Sequence, residues 1–176
     1  MSRTLVLGGA RSGKTAYAQT QARMRVTSGG RTPLMIVTAQ AFDDEMTRRI
    51  DRHRADRGEA WKTLEAPLDL VAAIRDLQVP DVAVVDCLTL WLSNLMAADR
   101  DLEAARDELV ESVASCPADL WLVSNEVGWG IVPDNPLARR FRDEAGFLQQ
   151  ALTRAADEVV LVVAGLPLSL KSASGV

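Results

Sequence analysis

Five short runs of Val, Ile and Leu stand out along the chain: Thr4–Gly8, Leu34–Thr38, Val82–Asp86, Leu120–Ser124 and Val159–Ala164. They show almost no alternation with polar residues. A strand with one wet face alternates, so unbroken apolar runs of this length predict strands covered on both faces. Helical patterns separate them: Thr15–Met24, Asp43–Arg57, Leu68–Leu77, Leu88–Ala97 and Glu103–Val113. The clearest helix follows Asn135, a capping residue, with Pro136 suited to the first turn. Leu137, Phe141, Leu148 and Leu152 then recur at helical spacing. Strands alternating with helices predict an α/β domain, its sheet mainly parallel and its helices on both faces. No internal repeat or low-complexity linker interrupts the pattern. One domain over residues 1–170 and a short tail over 171–176 are expected.

A parallel sheet binds ligands at the carboxyl ends of its strands. Four polar or glycine-rich stretches converge there: Gly8 to Thr15, Thr38-Ala39-Gln40, Asp86, and Ser124-Asn125-Glu126. The first reads Gly8, Gly9, Ala10, Arg11, Ser12, Gly13, Lys14, Thr15 and fits G-x-x-x-x-G-K-[ST] without mismatch. A strand before it and a helix behind it supply the context of a phosphate-binding loop. Inward backbone N–H groups and the positive helix end hold phosphate oxygens, and Lys14 reaches the β- and γ-phosphates. Thr15 offers its hydroxyl to Mg²⁺. Asp86 ends an apolar strand and is the candidate partner ligand for that metal, or alternatively the cap of the helix that follows. The glycine-rich stretch Asn125 to Pro133 reads equally as a structural turn or a substrate loop, with Glu126 placed to act on a hydroxyl or a metal.

Composition adds limits. The chain has 176 residues, 48% of them hydrophobic, enough for one real core. A net charge of −4 disfavours a broad nucleic-acid surface. Cys87 and Cys116 show no metal or redox spacing. No apolar run approaches the roughly 20 residues that span a bilayer. The strand signal starts within the first few residues, so no signal peptide and a cytoplasmic location are expected. His53 is the sole histidine, and Arg49 and Arg57 lie four residues to either side on the same helical face. Flanking cations favour a neutral imidazole, which is a competent nucleophile toward phosphorus. On these residues alone, a solvated basic face is the plainer account.

The chain resembles the bifunctional adenosylcobinamide kinase and adenosylcobinamide-phosphate guanylyltransferase family of cobalamin biosynthesis. The resemblance covers almost the whole chain. It is carried by Gly8 to Thr15, by Thr38 to Met46, and by Arg49, Ile50, His53, Arg54, Arg57 and Trp61 leading to Thr63-Leu64-Glu65. It continues through Val85 to Asn94, Ser124 to Pro133 and Asn135 to Asp143. Gly58 departs from the pattern, since proline is common there in the family. The resemblance implies a P-loop domain of RecA-like fold that forms homotrimers. It implies phosphorylation of adenosylcobinamide with ATP or GTP, then transfer of GMP from GTP through a guanylyl-histidine, for which it singles out His53. It places nucleotide contacts on Gly8–Thr15, on Thr38, Ala39 and Gln40, on Arg54, Ala55, Asp56 and Arg57, and on Glu65 and Asp86. Lys14 and Asp86 join His53 as the catalytic set. A single-function small-molecule kinase and a GTP-sensing binding module are the alternatives. No Asn-Lys-x-Asp motif occurs, so guanine preference comes from the resemblance alone.

Overall fold

The parallel strands lie in the order β3-β2-β4-β5-β1-β6, and an antiparallel seventh strand closes one edge beside β6. They belong to a computed structural model, which describes residues 1–26, 32–39 and 60–172. The strands are β1 (Arg3–Gly8), β2 (Leu34–Val37), β3 (Lys62–Glu65), β4 (Val82–Asp86), β5 (Asp119–Asn125), β6 (Glu158–Val163) and β7 (Leu166–Lys171). The helices among the described residues are α1 (Lys14–Val26), α2 (Leu70–Arg75), α3 (Leu88–Ala97), α4 (Leu102–Ser115) and α5 (Pro136–Ala155). The five expected strands and five of the expected helices are present, with ends moved by a residue or two. The expected helix Asp43–Arg57 lies outside the described residues.

Successive residues of the central strands point to opposite faces, and both faces are buried. Leu5, Ile36, Ala83, Val85, Leu120, Leu122 and Val159 enter one core with residues of α2, α3, α4 and α5. Val6, Met35, Val82, Val84, Trp121, Val123, Val160 and Val162 enter a second with Ala18 and Ala22 of α1. Two dry faces explain the apolar runs, because no position is left for a polar residue to alternate into. The α/β architecture with helices on both faces is therefore as expected. Asn135 caps α5 by accepting from Leu137 N at 2.8 Å and Ala138 N at 3.3 Å, with Pro136 in the first turn. Asp101 caps α4 in the same way.

Two strands carry no counterpart in the sequence expectation. β3 is an edge strand whose four residues are all exposed. β7 follows the turn Ala164-Gly165, where both residues have positive φ (51° and 81°), as a two-residue hairpin of the right hand requires. Lys171, read from sequence as the start of a tail, is the last residue of β7. Its ammonium donates to the carbonyls of Thr153 (3.0 Å) and Ala156 (2.6 Å) at the end of α5, where a cation also meets the negative end of the helix dipole.

Arg3 ties the start of β1 to the turn before β6. Its guanidinium donates to both carboxylate oxygens of Asp157, each at 2.8 Å. These hydrogen bonds hold the Asp157 carboxyl below its usual range, against the opposing effect of burial. A lowered folded pKa means stabilisation that is whole above the unfolded carboxylate value of about 3.9. It is lost as pH falls below that value through the folded one. Asp157→Asn should cost up to about 1 kcal/mol at neutral pH, since the pair is partly exposed. Urea melts should show the difference from the unaltered chain shrinking once pH drops below about 3.9.

Candidate nucleotide site

The carboxyl edge of the sheet collects the candidate residues in a defined order. Register pairs Val37 with both Glu65 and Asp86, Asp86 with Val123, and Asn125 with Gly8. Walking along that edge one meets Glu65, Thr38, Asp86, Asn125 and then the glycine-rich loop. One strand, β5, separates the loop's strand from that of Asp86. Glu65 stands four strand spacings from Gly8, about 19 Å at roughly 4.8 Å each.

The loop itself is held by its own backbone and by the β6–β7 turn. Ser12 N donates to Gly9 O (3.2 Å), Tyr17 N to Gly13 O (3.0 Å), and Gly165 N to Ser12 O (2.8 Å). On its other flank Glu126 N donates to Gly8 O at 2.9 Å. The tightest point is Gly8, at φ +151°. A Cβ there would lie 2.3 Å from the backbone oxygen of Val162 and 2.6 Å from Ser12 Oγ. Backbone cannot swing aside as a side chain can. Gly8→Ala should therefore distort the loop, lower the melting temperature, and weaken nucleotide binding at least about 10-fold, a loss of roughly 1.4 kcal/mol. Calorimetric titration with GTP checks it, with wild-type affinity as the contrary result. Gly13, at φ +100°, packs its α-carbon side against Gly165, whose Cα would be 3.2 Å from an added Cβ.

Lys14 opens α1 and is only 6% exposed. Its ammonium donates to Gly9 O at 2.6 Å, so the charge is kept against the loop. One residue on, Thr15 Oγ1 lies 3.3 and 3.2 Å from the two carboxylate oxygens of Asp86, 71 positions away. Thus the sheet brings together the hydroxyl and the carboxylate that sequence analysis paired as metal ligands. Asp86 does not cap α3; the N-cap position belongs to Cys87. The Asp86–Cys87 peptide is cis.

A polar network lies behind Asp86. Cys87 Sγ is 3.1 Å from Thr89 Oγ1, and Asn125 Nδ2 donates to Thr89 Oγ1 at 2.8 Å. Gln149 of α5 donates to Ser124 Oγ (3.1 Å) and to Asn125 O (2.8 Å). Burial pushes the Cys87 thiol up, with the Asp86 carboxylate adding to it, so this thiol is a poor nucleophile. Asn94 is buried in apolar α3 and donates to Thr38 O (2.8 Å) and Pro67 O (2.9 Å). It joins the connections that leave β2 and β3. Neither Asn94 nor Gly165 was a candidate site residue in the sequence, although an amide inside an otherwise apolar helix signals a buried polar partner and Gly165 marks a hairpin turn.

Of the other candidates, Gly9, Ala10 and Arg11 are exposed on the loop, Ala39 is half-buried, and Glu65 is exposed at the end of β3. Glu126 accepts from Gly128 N at 2.9 Å, which folds its carboxylate back on its own loop. Gln40, His53, Arg54, Ala55, Asp56 and Arg57 lie outside the described residues. No cluster of three or more metal-ligating side chains occurs among the described residues, and no described helix is long and apolar enough to cross a membrane.

Comparison with known proteins points one way. The family described as cobinamide kinase / cobinamide phosphate guanyltransferase matches residues 4–170. The bifunctional adenosylcobalamin biosynthesis protein CobP of Pseudomonas aeruginosa is 46% identical over 172 residues, covering 96% of this chain and 97% of that protein. The bifunctional adenosylcobalamin biosynthesis proteins CobU of Escherichia coli and Salmonella typhimurium are 38% and 40% identical, each over 95% of this chain and 98% of its own length.

Proposed function

The chain belongs to the cobinamide kinase / cobinamide phosphate guanyltransferase family, and on that premise we propose how its residues divide the two reactions. It is a bifunctional transferase of cobalamin biosynthesis, which sets aside the single-function kinase and the GTP-sensing module. One triphosphate site, at Gly8–Thr15, serves both steps. The approach of the Thr15 hydroxyl to the Asp86 carboxylate, at 3.2 Å across the mouth of the loop, carries this assignment.

Those two groups fit Mg²⁺. They are hard oxygen donors, and their separation suits neighbouring positions on one ion that takes its remaining ligands from water and phosphate. Thr15 and Asp86 would hold the ion, which would supply neutralisation of phosphate charge. In the kinase step, the loop amides and Lys14 stabilise charge on the γ-phosphoryl group. The aminopropanol hydroxyl of adenosylcobinamide attacks the γ-phosphorus, the bond to the β-phosphate oxygen breaks, and nucleoside diphosphate leaves. A carboxylate, Asp86 or Glu126, helps position the hydroxyl, whose proton passes to water. In the guanylyl step, a neutral His53 nitrogen attacks the α-phosphorus and pyrophosphate leaves. A phosphate oxygen of adenosylcobinamide phosphate then attacks the phosphoramidate, freeing the imidazole and giving adenosylcobinamide-GDP. Two in-line displacements leave the configuration at that phosphorus retained.

Glu65 stands about 19 Å from Gly8 along the sheet edge, so its place is at the nucleoside end of a nucleotide gripped by the loop. Ala39, Gln40 and Arg54–Arg57 complete the proposed nucleotide-binding set; Thr38 leaves it, because its side chain is buried against the backbone of Cys87. We also assign a single domain that runs through Lys171, a homotrimer, and a cytoplasmic location. Exposed Trp129 (74%) and Ile131 (97%) suit a subunit or corrinoid contact, and two free thiols suit a reducing compartment.

The decisive test is product analysis. Purified protein is given adenosylcobinamide with ATP or GTP and Mg²⁺, and the corrinoids are resolved by chromatography and mass spectrometry. Adenosylcobinamide phosphate followed by adenosylcobinamide-GDP is the expected outcome. Unchanged corrinoid with both nucleotides would overturn the assignment.

A further inference from the structure

We propose that Thr38 is a positioning residue for Asp86 and does not itself touch the nucleotide. The inference rests on the assignment of Mg²⁺ to Thr15 and Asp86 and carries it further. Thr38 is fully buried at 0% exposure, and each of its polar functions is spent inside the fold. Its N–H donates to Asp86 O at 3.2 Å. Its hydroxyl donates to Cys87 O at 2.7 Å and accepts from Cys87 N at 3.0 Å. Its carbonyl accepts from Asn94 Nδ2 at 2.8 Å.

Three of these four bonds grip the backbone of Asp86 and Cys87. They fix the point from which the Asp86 side chain departs, at the last β2–β4 pair, Val37 with Asp86. The strand ends there, and from Cys87 onward the Thr38 side chain takes over from the ladder. A β-branched residue with a hydroxyl is suited to the task, because its χ1 is stiff and one oxygen both donates and accepts. Asn94 anchors Thr38 in turn. Orienting partners of this kind typically change metal affinity or activity about 10–100-fold when removed.

The test measures binding rather than turnover. Affinity for guanosine 5′-(α,β-methylene)triphosphate is measured by calorimetry with Mg²⁺ and again with EDTA. In the unaltered protein Mg²⁺ should tighten binding about 10-fold or more. Thr38→Val removes the hydroxyl and keeps the shape. It should lose most of that increment while the affinity in EDTA stays within about 2-fold, and Thr38→Ser should restore the increment. Thr38→Ala removes the same hydroxyl with less crowding and is read in the same way if the valine variant does not fold. An increment that survives in the valine or alanine variant overturns the proposal. So does an equal loss with and without metal, which would make Thr38 a nucleotide contact. If the unaltered protein shows no increment, the metal assignment fails and takes the proposal with it.

Discussion

Lys14→Ala is expected to abolish both activities, with kcat/KM for phosphoryl transfer and for guanylyl transfer each falling about 10³-fold or more. Lys14 is the ammonium of the loop, buried at the start of α1 and turned onto Gly9 O. A triphosphate held by backbone N–H groups and a helix end gains only about 0.3–1 kcal/mol from the dipole. The point charge supplies what the dipole cannot, and it acts where negative charge builds up on the β- and γ-phosphates. Alanine is the strongest helix former, so the substitution spares α1. A melting temperature near that of the unaltered protein should accompany the loss. Lys14→Arg keeps the charge but replaces a compact ammonium with a planar fork, and should recover little. Separate assays of each half-reaction decide the matter. Guanylyl transfer that persists while phosphoryl transfer is lost means that the two reactions do not share one triphosphate site.

The geometry of the Gly8–Thr15 loop was legible in the sequence for a physical reason. A phosphate loop needs glycine at its tight turns, where φ is positive at Gly8 and Gly13, a lysine at the head of a helix, and a strand feeding it. Each demand is met within residues 3–26, so the signal is local. The place of Asp86 at the sheet edge was legible because it ends a dry strand. The packing of Thr38 was not, because its partner Cys87 is 49 residues away and only the fold brings them together. Residue type and position placed Thr38 at the correct edge; they did not distinguish a side chain facing a ligand from one facing the backbone behind it.

The edge strands show the same limit. β3 reads Lys62-Thr63-Leu64-Glu65 and buries none of its four residues, so hydrophobicity cannot announce it. It exists because β2 offers it a partner, with Lys62 N bonded to Pro33 O at 3.0 Å and Ala66 N to Val37 O at 2.9 Å. β7 did carry a signal, since Leu166, Leu168 and Leu170 alternate behind a glycine turn. Pro167 argues against a central strand and is tolerated at an edge, which is where β7 lies. The outer strand leaves those leucines exposed.

His53→Ala should separate the two activities that Lys14→Ala destroys together. Guanylyl transfer should fall on the order of 10⁴-fold or more, as when a nucleophile is deleted, while phosphorylation of adenosylcobinamide proceeds at close to its normal rate. In the proposed division of labour the kinase step uses the loop, Thr15 and Asp86, the last two side by side in the structure, and no imidazole. The prediction is sharpest with labelled nucleotide. GTP carrying its label at the α-phosphorus should leave acid-labile label on the unaltered protein, and GTP labelled at the γ-phosphorus should leave none. A phosphoramidate is acid-labile because protonation of its nitrogen makes neutral imidazole the leaving group. The attacking form of histidine is the neutral ring, so labelling should decline as pH falls below about 6.5, the ordinary histidine value. Protein that takes up no α-label during turnover, together with guanylyl transfer that survives His53→Ala, would mean that the cobinamide phosphate attacks GTP directly, in one displacement and with inversion at phosphorus.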